Sequence, residues 1–462
     1  MPVNRGDRDF LRSIHRNLSD GALDPTSTFY EPIYSELPLE DPVGRLSTLI
    51  DFDGVESIQL FSGFRGSGKT TELRRLKRGL EDDSQDYFIV YADALEYVNP
   101  AEPIDITDLL IALAGAFSDA LEPMLGTDIA RESFWARFTN FLTNTDVRIN
   151  EAGLKAEAAT PGKDLLGSLK AGIDVKVELK TGSSFRQQIQ SLLANRLGEL
   201  KNQVDRFFED GIKQVRAKHG ERTKIVFLFD QLEQIRGTRQ TEQDVIRSVE
   251  RIFAVNFDML KIPYVHVVYT VPPWLKFVLP AMVQITLLPT VHLWNNDTER
   301  TRCEPAWTVF RSLVRRRLGD VGLARLFGND EAIRQRSVDR VIDVCGGHFR
   351  DLLRLLRDVV VRAVSLDALP VHSGLLDDAI NAARRDFLPI AQEDAKWLDE
   401  IARVRATALP NTDAGPVNRL TRYLDSHFVL YFVNADEWYD IHPLIRGEVT
   451  EVMQAAERAA GS

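Results

Sequence analysis

The sequence predicts an α/β fold: a mainly parallel sheet covered by helices on both faces, then a helical lid and a C-terminal winged-helix-like domain. Three observations predict it. Apolar, strand-like runs alternate with helical periodicity between residues 57 and 292, the order that makes a parallel sheet with helical crossovers. A glycine-rich loop separates the first such run from the first such helix. Beyond residue 295 the chain turns helical, and it ends as helix, two short strands and helix.

Taken in order, residues 1–45 read as an N-terminal adaptor. It holds a short helix from Asp9 to Leu18, proline-rich connections, and the start of a second helical run from Pro42 to Ile50. Residues 46–294 form the core. Ser57 to Phe61 alternates as a strand, and Gly63-Phe64-Arg65-Gly66-Ser67-Gly68-Lys69-Thr70 follows. This run fits G-x-x-x-x-G-K-[ST], the phosphate-binding P-loop. Gly63, Gly66 and Gly68 let the backbone turn tightly and bring its N–H groups to a phosphate. Lys69 supplies a mobile charge for the β- and γ-phosphates, and Thr70 a hydroxyl for Mg²⁺. The helix opening at Thr71 adds a favourable dipole end. Residues Gly63, Phe64, Arg65, Gly66, Ser67, Gly68, Lys69, Thr70 and Thr71 are therefore the candidate nucleotide contacts, and the fold is a P-loop NTPase parallel sheet.

Tyr87 to Tyr91 reads as the second strand, followed by helical periodicity from Ile106 to Leu125 and from Arg131 to Leu142. Residues 144–184 are rich in Gly, Ala and Lys, and Gly172 to Leu179 alternates with period two. This reads as an inserted, mobile loop bearing a hairpin. A long amphipathic helix is expected from Phe185 to about Lys218. Three more strands are expected, Lys224 to Phe229, Tyr264 to Tyr269 and Gln284 to His292, with a helix from Thr241 to Asp258 between the first two. Residues 295–364 form the helical lid. Residues 365–462 form the winged-helix-like domain, with a helix from Pro416 to Asp425, strands Phe428 to Val433 and Trp438 to His442, and a last helix from Pro443.

The candidate catalytic residues follow from these placements. Lys224 to Asp230 is an apolar strand ending in a carboxylate, at the edge where open α/β sheets bind ligands. Asp230 there can hold the water shell of Mg²⁺, the Walker B role. Hydrolysis also needs a group that orients or activates water. Gln231 can position water but is a poor base, so either Glu233 is the base or turnover is slow. Thr270 ends another apolar strand and could sense the γ-phosphate; Pro272-Pro273 then forces an extended turn. In Cys345-Gly346-Gly347-His348-Phe349-Arg350-Asp351, Arg350 lies in the first turn of a helix, where a cation opposes the dipole. An anionic partner, or an ion pair with Asp343 or Asp351, would explain it. Residues around Phe29, Tyr30 and Val43 are candidates for the adenine side.

Four segments, GFRGSGKT at 63–70, FLFDQLEQ at 227–234, the strand ending at Thr270 and GGHFRDLLRLL at 346–356, together resemble the AAA+ and STAND branch of P-loop ATPases. The likeness is to the origin-recognition-like group with a helical lid and winged helix, and it runs over roughly residues 40–450. It implies Walker A roles for Lys69 and Thr70, the Walker B role for Asp230, and sensor roles for Thr270 and Arg350. Gln231 departs from the usual acidic pair, which bears on hydrolysis rather than binding. The resemblance further implies ATP with Mg²⁺, and a nucleotide-controlled switch that assembles with itself or with a separate effector protein. Such proteins serve bacterial signalling and antiviral defence. The alternatives are a DNA-associated AAA+ loader and an ATP-binding scaffold with little turnover.

Composition narrows the partners. Of 462 residues, 57 are Lys or Arg and 68 Asp or Glu, and the net charge of −11 opposes nonspecific binding to nucleic acid or an acidic membrane. Residues 295–364 carry 14 Arg and 10 Asp or Glu, whereas residues 366–462 carry 9 basic and 16 acidic residues. A DNA-reading winged helix normally presents a basic face, so nucleic acid is the less favoured partner. Arg315-Arg316-Arg317 reads best as a solvated helix face. The two cysteines, Cys303 and Cys345, suggest neither a disulfide framework nor a structural zinc site. With no apolar leader or membrane-length run, a cytoplasmic protein is expected.

Overall fold

The computed structural model describes residues 5–37, 40–82, 87–125, 134–151, 175–238, 240–280, 282–407, 414–434 and 436–460. These fall into two compact units. One comprises residues 46–62 and 76–286; the other comprises residues 1–45, 63–75 and 287–462.

The first unit holds the sheet. Strands β1 (Ser57–Gly63), β2 (Tyr87–Asp93), β3 (Lys224–Asp230), β4 (Val265–Val271) and β5 (Ile285–Leu288) lie in the order β2-β3-β4-β1-β5. The β1–β4, β2–β3 and β3–β4 pairs are parallel, with Val226 opposite His266 and Phe61 opposite Thr270. Side-chain character explains the order. Every residue of β4, and six of the seven in β3, is buried, as expected of central strands covered on both faces. The flanking β2 and β5 keep half-exposed positions. Helix Ile106–Leu125 packs on helix Leu197–His219, where Phe117 stacks on Phe208 with ring centroids 4.3 Å apart.

Several boundaries differ from the sequence reading. The alternating run is helical over Val175–Thr181. Alternation would put Val177 and Leu179 on one face, but Val177 is exposed and Leu179 buried, the separation that helical turns produce. Residues 144–151 continue the helix Phe134–Glu151, and residues 152–174 lie outside the described residues. The long helix expected after residue 185 is two, Ser183–Leu193 and Leu197–His219. The helix expected from Thr241 changes pitch after Glu250: Arg251–Val255 is a π turn and Phe257–Leu260 a 3-10 turn. Strand β4 excludes Tyr264, whose φ is 61°, and runs on to Val271.

The second unit is mostly helical. The N-terminal helix is Arg5–Asn17, and the lid contains helices Glu304–Phe327, Glu331–Val344 and Phe349–Ser365. Asp330 caps the middle one by accepting from the Ile333 N–H at 2.9 Å. The first kinks at Gly319, where φ is 68°. Helices Ser373–Arg385, Gln392–Val404 and Ala414–Asp425 lead to an antiparallel hairpin of β6 (Val429–Asn434) and β7 (Asp436–Ile441). Helix Arg446–Ala460 follows. Phe432 stacks on Trp438 across the hairpin, so these aromatics are its core. The helix, hairpin and helix make the winged form expected from the sequence.

Candidate functional site

The glycine loop leaves the carboxyl end of β1 and passes directly into helix Lys69–Asp82. Gly66 and Gly68 have φ of 92° and 95°, a region other residues rarely enter. Lys69 is 4% exposed, and its Nζ donates to the carbonyls of Gly63 (2.8 Å) and Phe64 (3.0 Å). The ammonium therefore lies curled into the loop that a phosphate would fill. Ser67 donates to the Phe64 carbonyl at 2.8 Å and closes the turn. These residues fit a phosphate: tight glycines, a buried lysine and a helix start converge on one concave backbone.

The loop packs on its own unit's lid. A Cβ added to Gly66 would stand 2.6 Å from Cβ of Arg350, so loop and lid helix meet with no room between them. His348 bonds through Nε2 to the Arg65 carbonyl at 2.9 Å. Arg350 is thus where a lid arginine could answer the charge of a bound phosphate. It also faces Asp20, whose carboxylate lies 3.3 Å from Arg350 Nε, 3.2 Å from Arg354 Nε and 3.7 Å from an Arg357 terminal nitrogen. Burial works to raise the Asp20 pKa, but Arg354 and Arg350 outweigh it and hold the group below its ordinary value. Burial, reinforced by Arg65, lowers the pKa of Arg350.

The N-terminal segment is fastened to the same loop. The Thr71 hydroxyl accepts from Leu23 N–H at 3.0 Å, so this candidate contact holds chain against chain. Arg74 donates to the carbonyls of Ala22 and Leu23, and the Tyr34 hydroxyl donates to those of Ser67 and Pro289. Tyr30 donates to Glu72 at 3.0 Å, while Phe29 lies under the Arg317 guanidinium. The arginine cluster is a solvated face only in part. Arg317 is buried and donates to the carbonyls of Asn17 and Ser19; Arg316, though exposed, pairs with buried Glu31, and exposed Arg315 pairs with Asp320. A repeated Arg on a lid helix carried no sequence signal for these partners, which lie some 300 positions away.

The carboxylates belong to the sheet unit. Because β1, β3 and β4 are parallel, their carboxyl ends share one sheet edge; Asp230 ends β3 and Thr270 is the next-to-last residue of β4. Asp230 is fully buried and accepts from the Tyr91 hydroxyl at 2.6 Å and from the Gln231 N–H at 2.8 Å. Gln231 has φ of 71°, and its amide donates to Asp93 and accepts from Gln234. These bonds brace the side chain in the turn. Glu233 is buried in the turn Leu232–Gln234. Thr270 Oγ1 accepts from the Leu232 N–H at 3.1 Å, so it also fixes the turn that presents Glu233. Tyr91 and Asp93 were not singled out by sequence; their position at the end of the strand beside β3 was the available signal. Burial, with the Glu96 and Glu233 charges, raises the Asp93 pKa.

No protein-family model and no curated protein matches the chain. Among solved structures it is similar to the Aeropyrum pernix ORC2 protein in ADPNP–ADP complexes, at 11% identity and a TM-score of 0.36, covering 95% of this chain and 100% of that one. The ADP form of that protein gives 11%, 0.37, 96% and 98%. Cdc6p from Pyrobaculum aerophilum gives 11%, 0.31, 94% and 99%. At such TM-scores no residue role transfers, and the roles assigned to this chain rest on its own geometry.

Proposed function

We propose that the chain is an AAA+-type ATP-binding protein working as a nucleotide-controlled switch, with slow hydrolysis. The observation that carries this reading is the fit of the glycine loop against the lid, Gly66 on Arg350 and Arg65 on His348. A phosphate entering the loop must change the surroundings of the lid helix. Lys69 would leave the Gly63 and Phe64 carbonyls for the β- and γ-phosphates, and Arg350 would exchange part of its pairing with Asp20 for the new anion. Thr70 would offer a hydroxyl and Asp230 a carboxylate for the water shell of Mg²⁺, which when bound would supply charge neutralisation for the phosphates. Glu233 takes a proton from the attacking water. Assembly with itself or an effector is the output of this switch, and a cytoplasmic setting suits it; no described helix is long and apolar enough to cross a membrane.

The deciding experiment follows molar mass without nucleotide, with ADP and with ATP–Mg²⁺, for wild type and Lys69→Ala, alongside nucleotide affinity and phosphate release. Lys69→Ala should cost roughly 1.5–3 kcal/mol of nucleotide binding, about tenfold to a hundredfold. Glu233→Gln should keep binding and lower turnover by about 10²-fold or more. ATP binding that survives Lys69→Ala unchanged would refute the site, and a mass that never responds to nucleotide would refute the switch.

A DNA-associated loader is the second reading, favoured by the helix–hairpin–helix form of the C-terminal region. Charge weighs against it there: Arg419 pairs with Glu393 and Asp394. Binding of duplex DNA with ATP present, weakening steeply as salt rises, would establish it.

A further inference from the structure

Of the histidines clustered around Asp351, only His348 enters the nucleotide reading, through its bond to Arg65. Asp351 lies in the first turn of the lid helix Phe349–Ser365, His348 just before it, His427 just before β6 and His442 just after β7. Asp351 Oδ2 lies 2.8 Å from His348 Nδ1, 3.2 Å from His442 Nε2 and 3.9 Å from His427 Nδ1. One donor atom each from His348, Asp351 and His427 can be chosen so that all lie within 4.8 Å of one another.

Proton placement separates two of these rings. The Leu444 N–H donates to His442 Nδ1 at 3.2 Å, so the His442 proton sits on Nε2 and is donated to Asp351. That ring is satisfied as a neutral imidazole. His348 differs. The Arg65 carbonyl can only accept, so His348 Nε2 carries the proton. Its Nδ1 then faces Asp351 Oδ2 at 2.8 Å without the alignment of a hydrogen bond. A nitrogen lone pair held against a carboxylate oxygen is repulsive unless a cation lies between them. Two donor atoms that converge without bonding to each other have the arrangement of neighbouring ligands on one ion. The rings of His348 and His427 approach to 4.3 Å, so they can face a common point.

We propose that His348 Nδ1, the Asp351 carboxylate and His427 bind a divalent transition-metal ion of the zinc class, with water as a fourth ligand. Two imidazoles and a carboxylate suit such an ion better than Mg²⁺ or Ca²⁺. Tetrahedral bonds of about 2.1 Å put neighbouring ligand atoms roughly 3.4 Å apart. The 2.8 and 3.9 Å separations at Asp351 bracket that span. His442, by donating to the same carboxylate, orients it. The ion joins the start of the lid helix to the hairpin of β6 and β7, and through His348 it steadies the Arg65 carbonyl.

The test uses the full chain without a polyhistidine tag. Metal content is measured by mass spectrometry, and the stripped protein is titrated with Co²⁺, read by its visible absorption. One equivalent of zinc as purified, or of Co²⁺ on titration with a tetrahedral spectrum, is expected. Asp351→Asn and His427→Ala should lose it, and His442→Gln should weaken it about 10- to 100-fold. No stoichiometric uptake of Zn²⁺ or Co²⁺ by wild type overturns the proposal. Equal uptake by wild type and folded variants overturns it too. Should a variant fail to fold, the histidine NMR signals of wild type decide: Zn²⁺ must shift those of His348 and His427 together.

Discussion

Gly66 shows how much one hydrogen atom matters in this chain. Its φ of 92° disfavours any side chain, and a Cβ there would meet Cβ of Arg350 at 2.6 Å. Gly66→Ala should cost about 1–3 kcal/mol of stability and, by displacing the lid arginine, weaken ATP binding more than ADP binding. Calorimetric unfolding and the ratio of the two affinities check this. The residues of the loop were legible because their spacing is dictated by phosphate chemistry. Asp20, Tyr91 and Asp93 were not, because their importance comes from partners far along the chain: Asp20 meets Arg354 across 334 positions and Tyr91 meets Asp230 across 139. Arg317 was misread for the same reason. An arginine's burial depends on which carbonyls happen to reach it, and no local pattern records that.

At the scale of elements, the strands buried on both faces were the most readable. β3 and β4 are largely apolar and buried, and their limits fell within two residues of expectation. The run at 175–181 failed because a few alternating residues fit a helix face as well as a strand face, and only burial of Leu179 separates them. The turn between helices Glu331–Val344 and Phe349–Ser365 yields a sharper expectation. Gly347 has φ of 82°, and a Cβ there would overlap the Val291 carbonyl, which is rigid backbone. Gly347→Ala should therefore cost about 2 kcal/mol or more, against a few tenths for an exposed alanine substitution on the helix that follows. Urea midpoints of the two variants test the contrast. The same turn delivers His348 and Arg350 to the loop, so the glycine pair read from the sequence serves the site through backbone shape.

For the whole molecule, buried titrating groups set opposing slopes of stability with pH. Asp108 is buried at the start of helix Ile106–Leu125, and burial pushes its pKa up to about 7 despite hydrogen bonds from the Asp105 N–H and Gln190. The folded chain thus keeps a proton that the unfolded chain releases near its ordinary value of 3.8. Its contribution is fully present below that ordinary value and is lost as pH rises through about 7. His266 and His292 act in the opposite sense. Burial lowers both pKa values, with Lys224 adding to the effect at His266, so the folded state prefers them neutral. Their contribution is present above the unfolded value of 6.5 and is lost as pH falls below it. Each single group can impose a slope of at most about 1.4 kcal/mol per pH unit. Asp108→Asn should accordingly remove the fall in stability with rising pH between the ordinary value of 3.8 and about 7, the span of that one carboxyl. His292→Gln should remove the opposite slope, the loss of stability as pH falls below the ordinary histidine value, and leave the profile above that value unchanged. Urea unfolding across this range in the three proteins would separate the two carriers, and an Asp108→Asn profile parallel to wild type would mean that the carboxylate is charged in the folded core.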